Sequence, residues 1–248
     1  MTEVFDRRFW WRHAILPGLL FAAVTLPFEV SDLDLWFSDP FYDFAGRRWT
    51  WFEAWWARDL LHRGGRYLIW SLGSVPLLVL LLSWREARFA AWRRTCVYAL
   101  VCLATPPVLV VLLKLITNRH CPLAMTRYGG DVLWTRLFDF APAMLTGGQP
   151  GRCFPAAHAA SALGLLCLYF VGRALGHQRL WLWTLPGLLL GAAFAFGQHV
   201  RGTHFFSHNL WSLALCWTVA LATYRAFGGR IVPCPRFPAS STAGGNVR

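Results

Sequence analysis

Thr95-Cys96-Val97-Tyr98-Ala99-Leu100-Val101-Cys102-Leu103-Ala104-Thr105-Pro106-Pro107-Val108-Leu109-Val110-Val111-Leu112-Leu113-Lys114-Leu115 is an apolar run that ends on a cation. A helix needs about 20 mostly apolar residues to cross a bilayer, and five further runs near that length lie at about 14–30, 67–83, 155–172, 180–197 and 210–227. With 56% apolar and only 15% charged residues and a mean hydropathy of +0.40, the 248-residue chain is excluded from ordinary soluble folds. The expectation is an all-α, polytopic membrane bundle of six transmembrane helices. Pro17, Pro27 and Glu29 interrupt the first run, which counts as a span because no small-residue cleavage site follows it.

Cytoplasmic loops hold an excess of Lys and Arg. With the N-terminus inside, the internal segments carry 13 cations against three acids, net +10, and the external ones 11 against nine, net +2. An N-in, C-in arrangement follows. The overall charge of +12 is then an orientation signal with some attraction to anionic lipid. No nucleic-acid partner is expected, because no basic stripe interleaves with stacking aromatics on a soluble face.

Between the first two runs, Phe52, Trp55, Trp56 and Leu60 recur at helical spacing within Arg48–Leu60, which predicts an external helix lying in the interface. An aromatic belt alone would give the same tryptophans. Residues 1–232 read as one membrane domain. Residues 233–248, rich in Pro, Ser and Gly, have the composition of a disordered cytoplasmic tail.

Cys96, Cys102, Cys167 and Cys216 fall in the apolar runs as small core residues, and Cys234 falls inside. Cys121 and Cys153 share the external loop between the third and fourth runs. They are expected to form a disulfide in an oxidising compartment, restraining the unfolded chain by roughly 3 kcal/mol.

Three polar blocks end these runs: Lys114…Cys121-Pro122, Phe154-Pro155-Ala156-Ala157-His158 and Arg201-Gly202-Thr203-His204. All three fall on the external side. Pro155 suits a helix start, where unpaired N–H groups favour an anion, and Arg201 and His204 share a face on a helical turn. His199, His204 and His208 also invite a metal reading, but no Cys, Asp or Glu joins them in sequence and the neighbouring arginine favours an anion.

Together the blocks, over residues 110 to 212, resemble the type 2 phosphatidic acid phosphatase superfamily, whose pattern is Lys-x6-Arg-Pro, Pro-Ser-Gly-His and Ser-Arg-x5-His-x3-Asp. The resemblance implies that His204 attacks phosphorus to give a phosphohistidine, His158 protonates the leaving oxygen and Lys114 binds phosphate, without metal or other cofactor. The chain departs from the pattern at several positions. Cys121 replaces the first arginine, with Arg119 and Arg127 near enough to substitute, and Ala156-Ala157 replace Ser-Gly. Gly197-Gln198 stand where Ser-Arg is expected, with Arg201 one turn closer to the histidine. His208, followed by Asn209, holds the aspartate position, where either would orient His204 more weakly than a carboxylate.

The implied function is a membrane phosphatase or phosphotransferase acting on a lipid phosphate or diphosphate. Polyprenyl diphosphate, phosphatidate-type lipids and lipid A phosphates are all compatible partners, with the site on the periplasmic face of a bacterial inner membrane. The alternative is a lipid-phosphate binding or transport protein on the same fold.

Overall fold

In a computed structural model the described residues are 5–136, 138 and 150–232. The tail expected at 233–248, with Cys234, lies outside them.

Helix α1, Arg7–Val30, starts where the Asp6 carboxylate accepts the Phe9 N–H at 2.7 Å. A short α2, Leu33–Ser38, leads to a hairpin in which β1, Tyr42–Asp43, pairs antiparallel with β2, Arg48–Trp49. Then come α3, Trp56–Leu82, and the single turn α4, Ala87–Ala90. The long α5, Arg93–Thr117, stops at Asn118 in the left-handed region. After the external loop follow α6, Ala157–Ala174, α7, Trp181–His199, and α8, Phe206–Ala226.

Among the described residues α1, α3, the segment Arg93–Ala124 containing α5, and α6 are long and apolar enough to cross a membrane. The remaining two of the six runs form α7 and α8, with 19 and 21 residues. Both carry polar residues at one end, Gln198 and His199 on α7 and Ser207, His208 and Asn209 on α8, which dilute their apolar character.

The expected interfacial helix over Arg48–Leu60 takes another form. Arg48 and Trp49 are in the hairpin, turns follow, and the helix beginning at Trp56 runs on into the second apolar run as α3. Trp49 decides this, because its indole is buried against Tyr42, Tyr128 and Phe205, a packing that the hairpin provides.

Helix α6 lies at the centre, packed on α5, α7 and α8. Its Ala159, Ala160 and Ala162 are buried, so neighbouring backbones approach closely: a Cβ on Gly164 would come 3.0 Å from the Cys102 carbonyl. At one end of the bundle Phe9, Tyr98, Phe170, Tyr224 and Ile231 form an aromatic core. At the other, the end of α5, the start of α6, the end of α7 and the start of α8 come together, covered by the hairpin and residues 122–132.

Candidate active site

The loop that leaves α5 is stitched to the chain entering α6. Cys153 N–H donates to the Arg119 carbonyl at 2.8 Å, Gly151 N–H to Asn118 Oδ1 at 2.6 Å, and Cys121 is disulfide-bonded to Cys153 with Cα atoms 5.1 Å apart. At the start of α6, Ala156 N–H donates to Ser212 Oγ at 3.0 Å, fixing α6 against α8. The turn from α7 to α8 needs Gly202. Its φ is +68°, and a Cβ there would sit 2.1 Å from the Trp49 indole.

These constraints gather the imidazoles. His204 is buried, with Nδ1 3.4 Å from the Cys153 sulfur and its ring 5.8 Å from that of His208. Burial first, then the charges of His208, Lys114 and His158, hold the His204 imidazole well below its ordinary basicity. It is therefore neutral, with a lone pair available. His158, on the first turn of α6, stacks on Phe194 at 4.3 Å and hydrogen-bonds the Leu61 carbonyl through Nε2 at 3.0 Å. Lys114, half-buried at the end of α5, completes the group.

The other sequence candidates lie around this core. Arg201 stands on the His158 side, its Nε donating to the Phe52 carbonyl at 2.9 Å and its guanidinium over the Phe52 ring. Arg127 is exposed and taken up by Asp39, with which it pairs in two-pronged fashion, holding that carboxyl below its usual range. Arg119 donates to Thr135 and, with His120 and His208, lines a separate cavity of about 20 Å³, room for about one water. Asn209 donates to the Phe205 carbonyl at 3.0 Å, so its amide serves its own helix start. His208 lies between His204 and that cavity, and among the described residues its buried Nδ1 has no partner.

Cys153, His204 and His208 each bring one ligand-type atom within 4.8 Å of the others. With Cys153 in the disulfide its sulfur is not a thiolate, so two imidazoles would remain, fewer than a structural or catalytic zinc site uses.

Asp34, Ser207 and His62 went unrecognised in the sequence, and His199, weighed there as a metal ligand, has a structural task instead. The Asp34 carboxylate accepts the Ser207 N–H at 3.0 Å and the Ser207 hydroxyl at 2.5 Å, capping α8 in place of Phe205, which has no side-chain acceptor. Burial raises Asp34 to about 6, partly offset by Ser207. His199 reaches the His204 and Phe37 carbonyls at 3.1 and 3.0 Å, tying the α7–α8 turn to α2. His62 lies beside His158, ring centroids 4.7 Å apart, and takes a hydrogen bond from Gln198. Asp34, an acid within an apolar stretch, and the i, i+4 series Arg58, His62, Arg66 were the available signals.

The sequence model of the PAP2 superfamily matches residues 95–231. The chain belongs to the PAP2 superfamily. No curated protein and no solved structure gives a significant match. PAP2 proteins are generally phosphatases, and the apolar helices are those of an integral membrane protein. The matched region holds Lys114, His158 and His204, whereas Asp34 and His62 precede it.

Proposed function

We propose that this PAP2 protein crosses the membrane six times with both termini inside, and removes or transfers the phosphoryl group of a lipid phosphate or diphosphate at the periplasmic face. The supporting observation is a buried His204 whose ring lies 5.8 Å from that of His208, with Lys114 and His158 near enough for their charge to reach it. His204 Nε2, the nitrogen not turned toward the disulfide, attacks phosphorus. The bond to the lipid oxygen breaks as His158 donates a proton to it, giving a phosphohistidine. Water then attacks, the phosphorus–nitrogen bond breaks, inorganic phosphate leaves and His158 recovers a proton. A second lipid hydroxyl in place of water makes the reaction a transfer. Lys114 offsets the phosphoryl charge where water is scarce.

Purified protein assayed on phosphatidate, polyprenyl diphosphate and lipid A phosphates, with and without chelator, tests this. Turnover that survives chelator, with an acid-labile, base-stable phosphoryl label absent from His204→Ala, is expected. No label and no released phosphate on any of the three would sink it. One observation favours the alternative binding or transport reading: among the described residues no carboxylate pairs with His204 Nδ1, which faces the disulfide sulfur instead. Lipid-phosphate binding without turnover, switched to turnover by His208→Asp, would establish that reading.

A further inference from the structure

Gln198 occupies the position where the family pattern has an arginine, and its amide is held at both ends. Its Oε1 accepts the Thr203 hydroxyl at 2.6 Å, and its Nε2 donates to His62 Nδ1 at 2.5 Å. With the Gln198 amide oxygen turned to Thr203 its NH2 faces His62, and in this orientation Nδ1 accepts and the His62 proton resides on Nε2. A continuous path thus runs from Thr203, the residue before the nucleophile, through Gln198 to the ring beside His158. His62 lies in the π-helical opening of α3, Trp56–Gly64, a winding often found at functional sites. Arg63, Arg66 and Arg201 are the cations whose charge reaches it.

The geometry points to His62 as a phosphate-contacting residue that, oriented by Gln198, supplies through Nε2–H the donor that an arginine at position 198 would otherwise supply. This rests on the phosphoryl site proposed above. Exchanging an arginine for a glutamine–histidine pair keeps a directed N–H donor and removes a permanent charge from a region already holding Arg63, Arg66 and Arg201. A neutral imidazole is also the better neighbour for His158, which must carry a proton to serve as acid, because two imidazolium rings at 4.7 Å would repel.

The test measures orthovanadate binding by calorimetry alongside phosphate release. His62→Ala is expected to weaken vanadate about tenfold or more, the scale of one lost hydrogen bond to a charged group. Gln198→Ala should cost less, since the ring remains but turns freely. The double variant His62→Ala/Gln198→Arg, in which the removed ring makes room for the longer side chain, should bind vanadate within about threefold of wild type. His62→Gln, which keeps an N–H donor, should retain most binding and serves if the alanine variant melts early. Wild-type vanadate affinity in His62→Ala, or a double variant no better than His62→Ala, overturns the inference. Wild-type protein that binds vanadate yet releases no phosphate from any lipid refutes the catalytic reading, while the variant series still decides the role of His62. Wild-type protein that binds no vanadate refutes both.

Discussion

Helices α3 and α6 are both apolar enough to cross a membrane, but 6% of the apolar window of α3 is buried within the protein, against 61% of that of α6. The contrast lies in side-chain size. The outer helix presents Tyr67, Trp70, Val75, Leu77, Leu78 and Leu81 outward, while the inner one packs Ala159, Ala160, Ala162 and Gly164 against its neighbours. Lipid tails are as apolar as leucine, so an outer helix gains little from shape, whereas an inner one holds its neighbours by close contact. The proposed chemistry therefore sits on the inner helices, and His62, at the mouth of α3, is where the outer helix would enter it.

The largest expected effect tests that division. His204→Ala and His158→Ala should each lower turnover by at least about 10³-fold, since in the proposed mechanism one forms the covalent bond and the other assists departure. Trp70→Leu, on the outward face of α3, should stay within about twofold of wild type because it touches neither group. A loss at Trp70 as large as that at the histidines would break the comparison.

Next come the devices that pin the inner ends. Cys153→Ser opens a bridge between residues 32 apart and should lower stability by about 3–4 kcal/mol, read as the melting shift between oxidised wild type and the variant. Asp34 offers a signed pH test. Burial raises its carboxyl from 3.8 to about 6, so between these values the folded protein keeps a proton that the unfolded chain releases. Stability should therefore fall as pH rises through that window, by about 3 kcal/mol in all. Asp34→Asn, which can still accept the Ser207 N–H, should flatten the slope. A slope unchanged in that variant would assign it to another group.

What the sequence revealed follows the same line. Lys114, His158 and His204 stood out only together: each alone is an ordinary polar residue at the end of an apolar run, where a long cation snorkels cheaply, but three such blocks in one order carry a pattern. His62 did not, because Arg58, Arg63 and Arg66 around it make it look like one more residue of a solvated face. Its significance depends on Gln198, 136 residues away. Asp34 was hidden for a related reason, its partner Ser207 being 173 residues distant. The hairpin at 42–49 was missed because Phe52, Trp55, Trp56 and Leu60 repeat with helical period, while the burial of Trp49 is a tertiary contact to Phe205 and Tyr128 that no local pattern encodes. Apolar length likewise found the outer helices readily and describes α7 and α8 least well, since their polar ends build the site.

The smallest effects sharpen the comparison most, because they use one chemical change in both helices. Adding a methyl at Gly164 of α6 places it 3.0 Å from the Cys102 carbonyl and 3.4 Å from Leu103, so α5 must shift and Gly164→Ala should cost about 1–3 kcal/mol. At Gly73 of α3 nothing among the described residues lies within 4 Å of the new methyl. There the only consequence is the better helix propensity of alanine, and Gly73→Ala should raise stability by about 0.5–1 kcal/mol. Melting of both variants in one detergent reads the two shifts side by side. Opposite signs mean that α6 is packed on protein and α3 on lipid, whereas a destabilising Gly73→Ala would place a partner, such as a second copy of the chain, against the outer face of α3.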